Sequence, residues 1–600
     1  MTAEPPFTTR PELSGTFGMV ASTHWLASAA GMATLERGGN AFDAAVAAGL
    51  ALQVVEPHLN GPGGDLPLLL YDAGRETVDV ICGQGPSPAG ATVEHFRGLG
   101  LELVPGIGLL AACVPGAFDA WMLLLRDYGT MPLADVLRYA IGYADDGFPV
   151  MPRIAGAIED MTPLFEAEWP TSAELWLPGG ATRAAGARMR NPVLAATYRR
   201  IGEEAAARST DRDEQIEAAR DAFLRGFVAE AITDFVETAE VFDSSGERQR
   251  GLLTASDLAA YHATVEAPAT FDYEGWTVCK TGPWGQGPVL LQQLALLEHF
   301  DLGAMDPGSA DYVHTVVECA KLAFADRDAW YGDSAEVPLE QLLSREYAAG
   351  RHALVDAAEA SHELRPGTVD GRAPLLPGPL RRADELDDAL VGVGEPTMGA
   401  PAEGHQGDTC HLDVADRHGN IVSATPSGGW LQSSPAIPGL GFCLGTRGQM
   451  FWPMEGLASS MAPRRRPRTT LSPSLALRDG GETRLSWGTP GGDQQDQWSL
   501  ALFLSHVHHG RNLQEAIDAP GFHTSHLPSS FYPRAIQPGR IHVEERFDPA
   551  EVDELRRRGH DVEIMGPWSI GRLSAVSRSP DGVLRGAANP RGMQGYAVGR

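Results

Sequence analysis

The sequence predicts a mixed α/β fold, and two observations support this prediction. Small and apolar residues at helical spacing fill long segments of the chain before Tyr331, for example NAFDAAVAAGLALQVVE from Asn40. A different pattern starts at Thr409, where CHLDVA, a turn over 416–420 and IVSAT alternate apolar and polar residues and predict a β-hairpin. With 600 residues, 43% of them hydrophobic and 21% charged, the chain is long enough to bury a large core.

The first elements are expected to be two helices. The pattern from Met19 to about Val55 is helical, and Gly38-Gly39-Asn40 fits the end of one helix followed by the N-cap of the next. A glycine-rich loop over 60–65 then leads into the strand-like run LPLLLYD. A long helical region is expected from there to about Thr238.

The remaining elements alternate. A strand is expected around GWTVCKT, followed by the helices PVLLQQLALLEHF and ADYVHTVVECAKLAFADRDAWYGD. Residues 355–407 are rich in Pro, Gly, Asp, Glu and Ala without periodicity, which predicts an exposed, mobile segment. After Ser486, a WGTPGGDQQDQW loop precedes the apolar helix SLALFLSHVHHG, and short strands separated by turns complete the chain.

The charge of the chain excludes two classes of partner. There are 47 Lys and Arg against 78 Asp and Glu, a net charge of −31, and nucleic acid or an anionic membrane requires a basic face. No apolar run reaches the roughly 18 residues of a membrane-spanning helix. The N-terminus lacks the basic and apolar parts of a secretory signal, so a cytoplasmic protein is expected.

Metal and disulfide chemistry have little support in the sequence. Six cysteines are spread along the chain without CxxC spacing, which indicates neither a zinc site nor a disulfide framework. His506 and His509 lie one helical turn apart, but the sequence supplies no third ligand for a metal. The basic run over 464–468 fits either an anion-binding segment or a solvated loop.

The chemically informative segment is Gly407-Asp408-Thr409. HExxH, SxxK, GxSxG and P-loop motifs do not occur in this sequence. Cleavage before Thr409 would create an N-terminal threonine whose α-amine, with a pKa of roughly 8, accepts the proton of its own hydroxyl. Spacing alone also fits a plain junction between a loop and a strand.

Several segments resemble the gamma-glutamyltranspeptidase family. The stretch TMGAPAEGHQGDTCHLDVADRHGNIVSATPS is similar to the autoprocessing site of that family. Further similar segments run in order along nearly the whole chain: GMVASTHWLASAAGMATLERGGNAFDAAVAAGLALQVVEPHLNGPGGD, LTASDLAAYHATVEAP, ADYVHTVVECAKLAFADRDAWYGD and the TPGGD loop. Independent matches in the same order are specific, unlike a single glycine motif.

The resemblance implies an N-terminal-nucleophile hydrolase with a four-layer αββα sandwich. The chain would cleave itself between Asp408 and Thr409, giving a large subunit 1–408, with a mobile tail over 355–408, and a small subunit 409–600. Both subunits would form one interleaved domain. The resemblance further implies a small-molecule amide substrate, an acyl-enzyme on Thr409, and no metal or organic cofactor; a homo-oligomer is left open.

The resemblance also carries roles to individual positions. Ser427 matches a second hydroxyl that hydrogen-bonds the nucleophile, where the family has threonine. Gly491 and Gly492 match the glycine pair whose backbone amides form the oxyanion hole. Thr469 and Thr470 match two serines that contact the substrate carboxylate. His411 and Asp413 alternate with the nucleophile on its strand, and we expect them to support its packing.

Four positions depart from the family pattern and affect the expected substrate. Gln84 stands where the family has the arginine that grips the γ-glutamyl α-carboxylate, and Gly429 replaces an asparagine. The carboxylate that holds the α-ammonium would fall at about Met450, while Arg447 appears in the same loop. These changes suit an acid without a free α-amino group, because buried polar groups without partners reject ligands.

The predicted function is therefore that of a self-processing threonine amidohydrolase acting on a small acidic acyl amide. It resembles the acylase and amidohydrolase branch of the family, which includes oxamate amidohydrolases and cephalosporin-acylase-like enzymes. One alternative is a true γ-glutamyl hydrolase or transferase that acts on glutathione or γ-glutamyl amides. Another is an uncleaved, inactive member of the family with a binding role.

Overall fold

A computed structural model of the chain describes residues 7–378, 380–386 and 409–600. Asp408, the predicted carbonyl side of the self-cleavage site, lies outside the described residues, as does most of the C-terminal half of the predicted mobile tail. The described part of that tail is anchored, since Lys321 donates a hydrogen bond to the Ser361 carbonyl and the Gly367 amide donates one to Asp326.

The strands of the described residues are β1 (Leu13–Gly15), β2 (Gly18–Ser22), β3 (Leu66–Asp72), β4 (Thr77–Gly83), β5 (Phe148–Pro149), β6 (Arg188–Met189), β7 (Val241–Phe242), β8 (Arg248–Gln249), β9 (Thr264–Glu266), β10 (Ala269–Tyr273), β11 (Trp276–Lys280), β12 (Arg381–Arg382), β13 (Leu412–Asp416), β14 (Ile421–Ala424), β15 (Ser474–Arg478), β16 (Thr483–Gly488), β17 (Phe522–Thr524), β18 (Ala535–Ile536), β19 (Arg540–Glu544), β20 (Asp561–Met565), β21 (Ser574–Arg578), β22 (Leu584–Ala588) and β23 (Tyr596–Gly599).

The helices of the same residues are α1 (Trp25–Glu36), α2 (Ala41–Val55), α3 (Val93–Gly98), α4 (Ala117–Tyr128), α5 (Leu133–Asp146), α6 (Pro152–Ala167), α7 (Pro170–Trp176), α8 (Pro192–Arg208), α9 (Arg212–Leu224), α10 (Phe227–Thr238), α11 (Ala255–Ala259), α12 (Pro288–Leu297), α13 (Ala310–Trp330), α14 (Leu339–Leu342), α15 (Arg345–His352), α16 (Gln495–His509), α17 (Leu513–Asp518) and α18 (Pro549–Arg557).

Two antiparallel sheets of seven strands each form the centre of the described structure. The first sheet has the order β23-β2-β13-β14-β3-β4-β9, and the second has the order β1-β22-β21-β16-β15-β11-β10. Strands β13 and β14 lie in the middle of the first sheet, with β2 on one side and β3 on the other. Both sheets therefore combine strands that precede and follow Thr409 in the chain.

The sheets and helices stack in four layers, as the αββα prediction requires. Strands β2, β13 and β14 pack across the interior onto β21, β22 and β16. Helices α1, α2 and α4 cover the outer face of the first sheet, and α12, α16 and α17 cover the second. Between the sheets, Leu69 shares one apolar cluster with Leu475 and Val576. Burial of this apolar surface holds the layers together.

Most of the predicted elements are confirmed, and local interactions explain where they begin and end. Asn40 caps α2 through a capping box with Asp43, as the Gly38-Gly39-Asn40 step predicts. The predicted hairpin is formed by β13 and β14. Two predictions were wrong. Residues 19–22 belong to β2 rather than to a helix, because hydrogen bonding to β13 and β23 holds them in an extended conformation. In addition, β4 interrupts the helical region expected before Thr238.

Within the described ranges, we find no helix with the length and apolar character needed to span a membrane.

Candidate active site

Thr409, the predicted nucleophile, lies at the entrance to the central strand β13 and is fully buried. It forms a β-bridge with Ser427, and its hydroxyl donates to the Ser427 hydroxyl over 3.3 Å. The backbone amide of Cys410 donates to the Pro426 carbonyl over 3.0 Å. The strand ladder therefore brings together the two hydroxyls that the sequence separates by a hairpin.

The glycine-rich loop over 60–65 holds Ser427 in place. The Asp65 amide donates to the Ser427 carbonyl over 2.7 Å, and the Ser427 amide donates back to the Asp65 carbonyl over 3.1 Å. A Cβ added to Gly64 would lie 2.1 Å from the Ser427 carbonyl oxygen, so only glycine permits this approach. The sequence motif was visible as NGPGGD, but its contact with Ser427 was not predicted.

The predicted oxyanion-hole glycines occupy the loop between β16 and α16. Gly491 has a φ of 136° and Gly492 a φ of 54°, a backbone region that side chains disfavour. A Cβ on Gly491 would lie 2.1 Å from the Trp498 ring. At the end of β16, a Cβ on Gly488 would lie 2.4 Å from the imidazole of His411. The end of β16, which leads into this loop, therefore packs against His411, two residues after Thr409 in the sequence.

A buried carboxylate anchors the same loop. Asp493, which follows Gly492, accepts hydrogen bonds from the Ser530 hydroxyl at 2.6 Å and the Ser530 amide at 2.7 Å, and from Arg327. Burial alone would raise the pKa of Asp493, but Arg327 and Arg468 hold that pKa below its usual range. Asp493 is thus held as an anion that ties the loop to Ser530 and Arg327.

Gln286 links the loop of the predicted oxyanion-hole glycines to the predicted substrate-binding threonines. Its backbone amide donates to the Thr469 carbonyl over 2.9 Å, and its side-chain amide reaches the Gly492 carbonyl at 3.4 Å. Its side-chain carbonyl accepts from Arg327 over 3.0 Å. Thr469 and Thr470 are both fully buried, and the Thr470 hydroxyl has no hydrogen-bond partner among the described residues.

The Arg327 cluster gives a prediction about stability. Replacing Arg327 by methionine leaves the carboxylates of Asp493 and Asp328 buried without this partner. We expect the free energy of unfolding to fall by about 3–5 kcal/mol, measured by urea unfolding. The control is Arg345→Met, which removes an exposed pair with Glu298 and is expected to cost less than about 1 kcal/mol. Equal, small losses for the two variants would contradict the structural role of Arg327.

Arg447, predicted to bind an anionic substrate group, is 3% exposed and paired with Asp65. Its Nε donates to the Asp65 carboxylate over 2.8 Å, and its guanidinium lies over the Trp430 ring at 5.6 Å. Burial raises the pKa of Asp65, while Arg447 and the Gly85 amide oppose that rise. The Nη2 of Arg447 has no hydrogen-bond partner in the described part of the chain. The pair therefore offers the Nη2 group of Arg447 as a hydrogen-bond donor, while the Asp65 carboxylate largely compensates the positive charge of the guanidinium.

The other departures from the family pattern are also buried. Gln84 is fully buried, and neither atom of its side-chain amide has a hydrogen-bond partner among residues that the structure describes. Gly429 has a φ of 66°, and its carbonyl oxygen would lie 2.5 Å from a Cβ on Gly61. Met450 ends the 3-10 turn that starts at Arg447 and is fully buried.

His411, directly before β13, and Asp413, on that strand, form a buried network. His411 contacts the Thr425 hydroxyl at 2.9 Å and the Asp413 carboxylate at 3.0 Å through its two ring nitrogens. The Ser574 hydroxyl donates to Asp413 over 2.9 Å. These bonds tie β13 to its neighbour β14 and to β21 of the second sheet, which fits the supporting role expected for both residues.

Glu56 is a neighbour of the site that the sequence did not indicate. It is fully buried at the end of α2 and accepts hydrogen bonds from the Thr23 hydroxyl at 2.6 Å and the Cys410 thiol at 3.0 Å. Burial raises its pKa, and the two hydrogen bonds oppose this rise. A single glutamate after an apolar helix gives no reason, from the sequence alone, to expect a contact with Cys410, the residue after Thr409.

One group of potential metal ligands lies close together in the described residues: His314, Glu318 and His560. Lys321 donates to the Glu318 carboxylate over 2.6 Å, and Arg365 pairs with it at 3.3 Å. Two cations already compensate this carboxylate, so the group is better suited to an ion-pair network than to a metal.

Comparison with known proteins identifies the relatives of this chain. The family model described as gamma-glutamyltranspeptidase matches residues 27–599. The glutathione hydrolase-like YwrD proenzyme of Bacillus subtilis is 31% identical, over 98% of this chain and 99% of its own. The acylase ACY 1 proenzyme of Pseudomonas sp. (strain SE83) is 32% identical, over 96% and 92%. The oxamate amidohydrolase proenzyme of Klebsiella pneumoniae is 31% identical, over 97% and 98%.

Solved structures agree with this result. The structure of LmbA2991HD is 59% identical and superimposes with a TM-score of 0.93, covering 99% of this chain and 100% of that chain. The cephalosporin acylase from Bacillus halodurans is 28% identical, with a TM-score of 0.80 over 100% of this chain and 98% of its own. The similarity therefore extends over the whole αββα sandwich.

Proposed function

Because this chain belongs to the gamma-glutamyltranspeptidase family of N-terminal-nucleophile hydrolases, we propose that it cleaves its own backbone before Thr409 and then hydrolyses a small acidic acyl amide. The observation that carries the proposal is the buried pair of hydroxyls, Thr409 and Ser427, 3.3 Å apart at the end of a central strand. Relatives in this family include acylase, oxamate amidohydrolase and glutathione hydrolase proenzymes.

In the proposed processing step, the Thr409 hydroxyl attacks the carbonyl carbon of Asp408. The peptide C–N bond breaks, the nitrogen becomes the α-amine of Thr409, and an ester joins the two parts of the chain. Water hydrolyses the ester, giving subunits 1–408 and 409–600. Strands β13 and β14 stay in the sheet after this cut, because β2 and β3 hydrogen-bond them on both sides.

In the proposed catalytic cycle, the α-amine of Thr409 accepts the proton from its hydroxyl, which attacks the acyl carbon of the substrate. The backbone amides of Gly491 and Gly492 stabilise the oxyanion of the tetrahedral intermediate. The amine leaves with the proton, and water hydrolyses the acyl ester. Ser427 orients the attacking oxygen by its hydrogen bond.

Recognition of the acyl group distinguishes this proposal from γ-glutamyl hydrolysis. The free Nη2 of Arg447 and the hydroxyls of Thr469 and Thr470 are donors suited to an acidic group. Asp65, a buried carboxylate beside Ser427, already pairs with Arg447 and is not free to bind a substrate ammonium. A γ-glutamyl group would therefore bury its α-ammonium without the carboxylate it requires, and this costs affinity.

The experiment compares oxamate and longer acidic acyl amides with a γ-glutamyl anilide, on the purified full chain after processing. We expect kcat/KM for the best acidic acyl amide to exceed that for the γ-glutamyl anilide by at least about 100-fold, a difference of roughly 2.7 kcal/mol. A preference for the γ-glutamyl anilide would favour the γ-glutamyl hydrolase or transferase alternative instead.

Ser427 gives a prediction about rate. Ser427→Ala removes the hydrogen bond to the Thr409 hydroxyl, and we expect kcat/KM to fall about 2- to 10-fold, since a hydrogen bond between neutral groups contributes roughly 0.5–1.5 kcal/mol. Ser427→Thr keeps the hydroxyl and is the matched control, with activity expected near that of the unmodified protein. An alanine variant with full activity would exclude the proposed role.

The Arg447–Asp65 pair gives a prediction about specificity. The double variant Arg447→Gln, Asp65→Asn removes both charges together, so neither is left buried alone. We expect it to lose at least about 10-fold of the preference for an acidic acyl amide over its neutral analogue, measured as a ratio of kcat/KM values. An unchanged ratio would show that Arg447 does not recognise the acyl group.

A further inference from the structure

Three arginines and two aspartates form a buried cluster that adjoins the loop of the predicted oxyanion-hole glycines. Each member is at most 6% exposed, and the five are Arg327, Arg468, Arg534, Asp328 and Asp493. Arg327 pairs with both carboxylates, and Arg468 pairs with Asp328 at 3.5 Å. Arg534 donates to two backbone carbonyls.

The cluster holds more positive than negative charge. Burial and Arg327 lower the pKa of Arg468 to about 10, and burial and Arg468 lower the pKa of Arg534 to about 9, so both stay protonated at neutral pH. Asp493 is an anion, because its pKa lies below the usual range. Burial raises the pKa of Asp328, and a proton on this carboxylate would only enlarge the surplus. The cluster is therefore a local positive region in a chain of net charge −31.

Two of the charged residues are next in sequence to residues proposed to act on the substrate. Asp493 follows Gly492, and Arg468 precedes Thr469. Ser530 joins the two charged side chains, since its hydroxyl accepts from Arg468 at 3.0 Å and donates to Asp493 over 2.6 Å. The charges of the cluster are therefore tied both to the glycine loop and to the threonine pair.

Two further contacts connect the cluster with the rest of the proposed site. The side-chain carbonyl of Gln286, which bridges the glycine loop and the threonines, accepts from Arg327 over 3.0 Å. Arg534 donates to the Gln449 carbonyl over 2.7 Å, within the 3-10 turn that starts at Arg447. The cluster thus contacts all three segments to which we assign the acyl group and the oxyanion.

We propose that the positive surplus of this cluster determines the preference for an acidic acyl group, and that Arg468 is a specificity-determining residue although it does not touch the substrate. The inference rests on the function proposed above. A buried cation without a counter-charge is costly, and a bound carboxylate nearby offsets that cost. At the effective dielectric of about 20 that fits buried sites, one unit charge roughly 10 Å from an anion changes its binding about 10-fold. A neutral acyl group gains nothing from this charge.

The test changes the charge of the cluster by one unit in each direction. It compares oxamate with oxamide, which differ in charge but hardly in size, as a ratio of their kcat/KM values on the processed protein. Arg468→Gln removes one positive charge, and we expect this ratio to fall about 10-fold. Asp328→Asn removes one negative charge, and we expect the ratio to rise about 10-fold. A ratio that does not rise in Asp328→Asn, or does not fall in a folded Arg468→Gln, would overturn the proposal.

Two controls separate the charge from damage to the fold. Arg468→Lys keeps the charge at the same position, so we expect it to retain the ratio. Arg220→Gln removes a buried cation that pairs with Asp119 on α4, and we expect it to lower stability without changing the ratio. A ratio that falls as far in Arg220→Gln as in Arg468→Gln would show that the position of the charge is irrelevant and would overturn the proposal.

A binding measurement keeps this inference separate from the function proposed above. Should the processed protein hydrolyse neither amide, that function fails for these substrates. Ligand-observed NMR then compares propionate with butanone, a neutral molecule of nearly the same size, in the same variants. Relative to butanone, we expect propionate to bind more weakly in Arg468→Gln and more tightly in Asp328→Asn. Equal relative affinities in all variants would overturn the role of the cluster whether or not the protein turns over an amide.

Discussion

Thr409→Ala is expected to leave a single uncleaved chain of 600 residues with no measurable amide hydrolysis. The substitution removes the only atom that attacks both the Asp408 carbonyl and the substrate in the proposed mechanism. We expect kcat to fall by about 10⁴-fold or more, as for other nucleophile deletions. A denaturing gel and a rate assay on the best acyl amide measure the two effects.

Thr409→Ser is the control for this variant. It keeps the hydroxyl and the future α-amine, so we expect it to process and to hydrolyse substrate, though more slowly. If Thr409→Ala were cleaved at the same position and remained active, the nucleophile would have to be another residue. Since Thr409 is fully buried within a strand ladder, a melting curve must accompany both variants to show that they fold.

Gly491→Ala is expected to lower kcat by about 10²–10³-fold, the range measured for loss of one oxyanion donor. With a φ of 136° and a Cβ position 2.1 Å from the Trp498 ring, alanine cannot occupy this backbone conformation. The loop has to move, and its amide then no longer points at the oxyanion. The same loss is expected in the rate of self-cleavage, which passes through a tetrahedral intermediate on the Asp408 carbonyl.

The matched control for this variant is Gly480→Ala. Gly480 also has a positive φ, 66°, but a Cβ there meets no atom within 4 Å, and it lies in the turn between β15 and β16. We expect a small loss of stability and unchanged kcat. Similar activity losses in the two variants would mean that backbone strain, rather than the oxyanion loop, causes the effect of Gly491→Ala.

Local patterns in the sequence were sufficient for much of the fold. Helix α2 follows from its capping residues and small apolar residues, and the β13–β14 hairpin follows from strict alternation around a Gly-Asn turn. The strand at Gly18–Ser22 was missed because it is defined by its partners β13 and β23, hundreds of residues away in the chain. Long-range pairing of this kind leaves no periodic signal within a short segment.

The candidate site was likewise predictable from the sequence only in part. Thr409, Ser427 and the glycine pair were predicted from the resemblance, since each belongs to a recognisable motif. The contacts that position them were not found: Asp493 under the oxyanion loop, and Asp65 between Ser427 and Arg447. Arg447 was predicted as an anion-binding residue, and its pairing with Asp65 became apparent only when residues 382 positions apart in the chain were placed together.

The charge of the protein bears on how such a substrate is recognised. With a net charge of −31, the protein has no long-range attraction for an anion. In the function proposed here, recognition of an acidic acyl amide would depend on short-range hydrogen bonds from Arg447 Nη2, Thr469 and Thr470. Such contacts act only within the buried site, so we expect specificity in these substrates to depend weakly on ionic strength.

The central claim is that Thr409 becomes the N-terminal residue and carries the acyl group. The most direct measurement is mass spectrometry of the purified protein before and after brief exposure to the best acyl amide. We expect two chains, 1–408 and 409–600, with the acyl mass added to the peptide that starts at Thr409. A protein that hydrolyses amides as one intact chain, or that carries the acyl mass on another peptide, would contradict the mechanism.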